Sequence, residues 1–197
     1  MSKSNKVIPS TLSNMIAAMT IVAIFAATIL GVSYQITKKP IQQAKDNRKL
    51  EAIKDVIDTD FDNNPFLDRI EIGNNIELYP ARTGSKITSI AIKSYSNNAF
   101  SGRIELIVGF KLDGTINGYK IIEQKETPGL GTKVMEHKFS HQFKGLSPAE
   151  KHFAVKQDGG EIDAVTSATI SSRAVIDAIK RGYNKYVQFS TISGNRE

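Results

Sequence analysis

From Val7 to Thr37 the chain carries no charged side chain, and within that stretch Met15 to Val32 (MIAAMTIVAIFAATILGV) is almost wholly apolar. A run like this cannot be spread over the surface of a water-soluble fold. Eighteen helical residues span about 27 Å, and the uncharged flanks extend them to a full bilayer crossing. Ser13, Thr20, Thr28 and Ser33 fit such a helix because small hydroxyls bond back to their own backbone. Tyr34 falls where an amphipathic ring prefers the headgroup level. A cleavable signal peptide, with Lys3 and Lys6 as its charged start, is the competing reading. It requires a shorter apolar region and a small-x-small cleavage site, which the sequence does not offer. The expectation is therefore a retained single-pass anchor over residues 1–37.

The remaining residues suffice for one modest domain. There is no cysteine, which removes disulfides, thiolate metal sites, iron–sulfur ligation and a cysteine nucleophile together. The net charge of +6 is concentrated between Lys38 and Lys54, where Lys38, Lys39, Lys45, Arg48, Lys49 and Lys54 face only Asp46 and Glu51. Because this run abuts the apolar segment and lacks interleaved aromatics, lipid headgroups or solvation explain it better than nucleic acid. It also outweighs the two lysines before the span, so charge counting leaves the topology open.

Pro40 is expected to end or kink the membrane helix. Ile41 to Ile57, with Ala44, Leu50, Ile53, Val56 and Ile57 at helical spacing, reads as an amphipathic helix, and Asp58 to Asn75 as irregular, giving a connector over 38–75. Over 76–197, strands are predicted at Ile87–Tyr95, Ile104–Leu112 and Thr115–Gln124, the last two joined through Asp113-Gly114. Lys133–Lys144 looks helical. His152–Gln157 and Glu161–Val165 around Asp158-Gly159-Gly160 suggest a second hairpin. Ala174, Val175, Ala178, Ile179, Tyr183 and Tyr186 mark a final helix. The fold class is α+β, with a mainly antiparallel sheet and flanking helices.

Two segments carry chemistry. Glu126-Thr127-Pro128-Gly129-Leu130-Gly131 follows a strand, and its Pro and Gly residues let backbone N–H groups turn toward a ligand, although such turns are also ordinary loops. Asp163-Ala164-Val165-Thr166-Ser167-Ala168-Thr169 enters the last helix. Thr169 falls at or just before the helix start, where unpaired N–H groups favour a phosphate and where plain capping is the bland alternative. His137 and His141 have metal-site spacing without a third ligand. Arg173, Lys180 and Arg181 follow Thr169, with Arg173 near enough for a phosphate but more readily solvated. Tyr95, Phe100 and Phe110 could stack on a ring but read as core.

In combination and in this order, the hairpin GRIELIVGFKLDGTINGYKIIEQ, the loop KETPGLG and the stretch DAVTSATISSRAVIDAIK resemble the G subunit of the Rnf complex, a ferredoxin–NAD oxidoreductase that couples electron flow to ion transport. The chain is also similar to the core of the C subunit of the sodium-pumping NADH–quinone reductase. The resemblance covers nearly the whole chain. It implies an inner-membrane protein with an extracytoplasmic domain carrying flavin mononucleotide (FMN), esterified through its phosphate to Thr169. It makes Thr166, Ser167, Ala168, Glu126, Thr127, Gly129, Leu130 and Gly131 neighbours of the cofactor, and Asp163 part of what a flavin transferase reads. Other Rnf subunits, the flavin transferase and membrane lipid are the implied partners, and no independent catalytic group is expected. An anchored assembly or signalling module sharing the same domain is the alternative. The chain departs from the family pattern at two places. Gln124 stands where relatives often have His, and Ser167 where they have Gly. If positive φ is required at Ser167, the side chain costs roughly 1–2 kcal/mol; if only smallness is required, Ser is acceptable.

Overall fold

The computed structural model describes residues 11–73, 75–150 and 152–194; Lys3 and Lys6 lie outside the described residues. The apolar run forms helix α1, Leu12–Val56. Its apolar part is exposed along its length and is long and apolar enough to cross a membrane. Thr20 and Thr28 donate to the carbonyls of Ile16 and Ile24 at 2.9 and 2.8 Å, which is how hydroxyls are accommodated in such a helix. Of the two outcomes expected at Pro40, an end or a kink, the end does not occur; α1 continues through it. Pro40 brings no N–H, so the Ile36 carbonyl lacks its usual helical partner.

The chain divides into two compact units, Met1–Asp46 and Asn47–Glu197. The second contains the last turns of α1 and a five-stranded antiparallel sheet in sequential order: β1 (Ile70–Glu71), β2 (Glu77–Thr83), β3 (Lys86–Ala99), β4 (Gly102–Lys111) and β5 (Ile116–Glu123). The Asp113-Gly114 turn joins β4 to β5, as its sequence dictates. Two of the strands were not expected. β1 lies in the stretch read as irregular, and β2 carries a proline.

Both faces of the sheet are covered, so β3 buries Ile90, Ala91 and Ile92 in succession rather than alternating with solvent. On one face the long helix α3 (Thr169–Gly194) packs Val175, Ala178, Ile179 and Tyr186 against Ile92, Leu106, Val108 and Phe110. On the other, Ala52, Ile53, Val56 and Ile57 pack on Tyr79, Ala81, Ala91 and Ile107. The approach there is close enough that a Cβ on Gly109 would collide with the Val56 carbonyl. A polar cluster lies at the edge of this second face. Lys93, almost fully buried, bonds Glu77 at 2.9 Å and Asn75 at 2.9 Å, and Lys49 reaches Glu77 at 3.2 Å.

Between β5 and α3 the expected helix over Lys133–Lys144 is broken into turns: a 3₁₀ turn at Gly131–Met135, a single α turn α2 (His137–Ser140) and a 3₁₀ turn at His141–Phe143. The second predicted hairpin does not form. Lys156–Asp158 is a 3₁₀ turn ending on Gly159, and Val155 meets Ile162 in an isolated parallel bridge. Gly160 packs against the Ala154 backbone so tightly that a Cβ would overlap it. This compact loop leads the chain to the start of α3.

Candidate functional site

α3 begins at Thr169, and the chain reaches it through Ser167 at φ +64°. Serine there takes the left-handed conformation that glycine adopts more readily. Ser172 fixes it from inside the helix: its hydroxyl accepts from Val165 N–H at 3.0 Å and donates to the Ala168 carbonyl at 3.0 Å. The Ala168 carbonyl also receives the Ser172 amide, which makes Ala168 the cap residue. Alanine has no side-chain oxygen to satisfy the first-turn N–H groups, so these stay available for an anion. Thr169 is thus the first helical residue and not the cap. Among the described residues its hydroxyl has no hydrogen-bond partner.

The Glu126–Gly131 loop stands across from this helix start. Thr127, Leu130, Gly131 and Glu126 line one side of a cavity of about 290 Å³, and Ser167, Ala168, Thr169, Ile170 and Ser171 line the other, with Phe100 at its edge. The loop closes on itself: Leu130 N–H donates to the Thr127 carbonyl at 3.2 Å and Gly129 N–H to Thr132 Oγ1 at 3.0 Å. The glycines therefore supply shape more than donors. Gly129 takes φ +74° and lies outside the cavity lining. At Gly131 any side chain would collide with the Glu126 carboxylate.

Glu126 is buried and shared between three segments. It accepts from Ser101 N–H at 2.8 Å on the β3–β4 turn and from the Ser171 hydroxyl on α3, and its own N–H is held by the Gln124 side chain. Gln124 thus serves the loop's geometry. Below the loop, Tyr119 donates to the Val134 carbonyl at 2.5 Å; burial pushes its phenol upward, keeping it a donor.

Thr166 and Asp163 face a different, adjoining cavity of about 650 Å³ that includes Lys133, Lys138 and Gln142. The Asp163 carboxylate meets Lys156 at 2.8 Å. Arg173 is turned away from Thr169 into a two-pronged pair with Asp158, at 2.6 and 2.7 Å, which holds the Asp158 carboxyl below its ordinary range. Arg181 lies over the Tyr95 ring at 4.7 Å and Arg103 at 3.9 Å, and Phe110 is core. His137 and His141 stack with centroids 4.9 Å apart, and no set of three ligating side chains occurs among the described residues. Phe100 departs from its expected core position. It occupies the hairpin tip between Asn98-Ala99 and Ser101-Gly102, a run of turn-forming residues that marks an exposed aromatic.

Residues 99–184 match the family of FMN-binding domains, the class that this sheet, helix and cavity define. The match begins at the β3–β4 turn and ends within α3, and so brackets every residue of the cavity. Beyond that domain, the chain is 35% identical to the G subunit of the ion-translocating oxidoreductase complex of Erwinia tasmaniensis, covering 81% of this chain and 83% of that protein. It is 36% identical to that of Photorhabdus laumondii, covering 81% and 84%, and 30% identical to that of Vibrio cholerae, covering 82% and 85%. The chain belongs to this family of G subunits of ion-translocating oxidoreductase complexes. In fold it is similar to the C subunit of the Na(+)-translocating NADH-quinone reductase of Parabacteroides distasonis, with a TM-score of 0.55, 18% identity and coverage of 78% of this chain and 96% of that one.

Proposed function

We propose that this chain is the electron-carrying subunit of a membrane Rnf-type ferredoxin–NAD+ oxidoreductase complex that couples electron transfer to Na+ or H+ translocation. It holds FMN as a phosphoester of Thr169, on the extracytoplasmic side of the inner membrane. The observation that carries the reading is Thr169 itself: an unbonded hydroxyl at the first residue of a helix whose cap is alanine, on the wall of a cavity closed by the Thr127–Gly131 loop.

These residues fit the group. A phosphate on Thr169 would be held by first-turn N–H groups at the positive end of the α3 dipole. Gly131, where no side chain can be inserted, keeps the loop tight to Glu126, and Leu130 and Ile170 give the cavity an apolar border. Bound flavin supplies the ability to exchange one or two electrons. The protein's part is to hold it: Thr169 is a tether and takes no part in turnover, and no side chain need act as acid or base. The ester would join Thr169 Oγ1 to the flavin phosphorus, the transferase drawing the phosphoryl group from a flavin phosphoanhydride whose P–O–P bond breaks and whose other phosphate leaves with the hydroxyl proton. The product has the composition of the chain plus FMN less one water. Asp163 and Thr166, exposed on the adjoining cavity, remain accessible to the flavin transferase. The α1 apolar segment anchors the chain in lipid, and other Rnf subunits complete the electron path.

Thr169→Ala, produced together with the flavin transferase, tests this. Expected is loss of flavin fluorescence from the denatured gel band with an unchanged melting temperature. Fluorescence that persists in the variant contradicts the assignment and moves the tether elsewhere, with Thr166 the nearest hydroxyl-bearing threonine in sequence.

A further inference from the structure

We propose that Phe100, flanked by Leu130 and Ile170, is the platform on which the flavin's isoalloxazine ring rests. The inference deepens the reading of the Thr169 site and stands on it. Phe100 is 69% exposed, Leu130 46% and Ile170 47%. Large apolar side chains left this open contribute little to folding. They come from three separate segments, the β3–β4 turn, the loop after β5 and the first turn of α3, and all border the same cavity. Among the cavity's polar side chains, the Glu126 carboxylate and the Ser171 hydroxyl are committed to one another, and Glu126 also accepts from Ser101 N–H; the Thr127, Ser167 and Thr169 hydroxyls have no hydrogen-bond partner among the described residues. The Phe100, Leu130 and Ile170 side chains thus give the cavity an apolar rim beside the unbonded Thr169 hydroxyl. A planar aromatic ring tethered at that hydroxyl matches it, since stacked aromatic pairs gain energy beyond their buried area.

Phe100 is also held in place. Its neighbour Ser101 donates to Glu126, and Glu126 accepts from Ser171, two residues beyond Thr169. Tether and platform therefore share one support.

The test uses the full chain, loaded by its flavin transferase and kept in detergent, with iodide as quencher of flavin fluorescence and visible circular dichroism as the measure of ring order. Both are normalised to bound flavin. Phe100→Ala is expected to raise the iodide quenching constant about twofold or more and to weaken the visible dichroism, while Phe100→Tyr keeps both near wild type. A loaded Phe100→Ala protein that matches wild type in both overturns the platform and leaves the tether standing. A wild-type chain without flavin on Thr169 overturns the reading beneath it, and the platform with it.

Discussion

Ser167 shows how much a single backbone angle can decide. Its φ of +64° puts an L-residue with a side chain where glycine is favoured. Ser167→Gly should therefore stabilise the domain, by about 0.5–1 kcal/mol once glycine's extra freedom in the unfolded chain is subtracted from the relieved strain. Urea unfolding checks this; a lower midpoint in the glycine variant contradicts it. Glu126 is the opposite case, a buried carboxylate whose partners are all protein groups. Glu126→Ala leaves Ser101 N–H and Ser171 Oγ without their acceptor, and a loss of about 2–3 kcal/mol is expected from the same measurement. That Thr169, Ser167, Ala168, Glu126, Thr127, Leu130 and Gly131 come together on one cavity was legible in the sequence, whereas Gly129 and Thr166, singled out with them, lie outside its lining. Phe100 was not legible, because an aromatic near two strands looks like core until the turn beneath it is located. Nor was the fate of Arg173, since nothing local indicates that Asp158, fifteen residues earlier, folds back to claim it.

Among the elements, strands with regular patterning and a clear turn were readable, and those overruled by context were not. β2 contains Pro80, which ordinarily argues against a strand. It survives because β1 pairs only with Glu77 and Leu78, so beyond them β2 is an edge and Pro80 withholds no ladder donor. The lost hairpin at Asp158-Gly159-Gly160 had turn residues but no neighbouring sheet edge to join. At Gly109 strand β4 lies directly against the end of α1. Gly109→Ala drives a methyl into the Val56 carbonyl, and because backbone must move, a loss of about 1–3 kcal/mol in thermal unfolding is expected.

The polar cluster that joins the end of α1 to β2 and β3 gives acid sensitivity. Burial works against ionising Glu77, but the Tyr79 hydroxyl and the ammonium groups of Lys93 and Lys49 outweigh it and hold the carboxyl at about 2. A folded-state value below the ordinary 4.5 means the contribution is complete above 4.5 and is lost as pH falls toward 2. It is on the order of 3 kcal/mol. Glu77→Gln should be less stable at neutral pH and show a flatter loss in acid; parallel pH profiles for variant and wild type would contradict this.

At the scale of the molecule, one helix serves both compact units. Sequence patterning separated an anchor from a connector at Pro40, yet α1 runs on, and its last turns cover one face of the sheet. A chain beginning at Asn47 should therefore stay folded without detergent. One beginning at Asp58 exposes Tyr79, Ala81, Ala91 and Ile107 and should aggregate, as size-exclusion chromatography would show; a monomeric, cooperatively melting Asp58 truncation contradicts that division of labour. The apolar run of α1 makes the membrane assignment, and the ester proposed at Thr169 makes the functional one. Peptide mapping by mass spectrometry of the chain purified from its native host addresses the latter most directly. Expected is a peptide containing Thr169 that carries the mass of FMN less one water, with fragment ions placing it on that residue. The same peptide recovered bare, or modified at Thr166 instead, would contradict it.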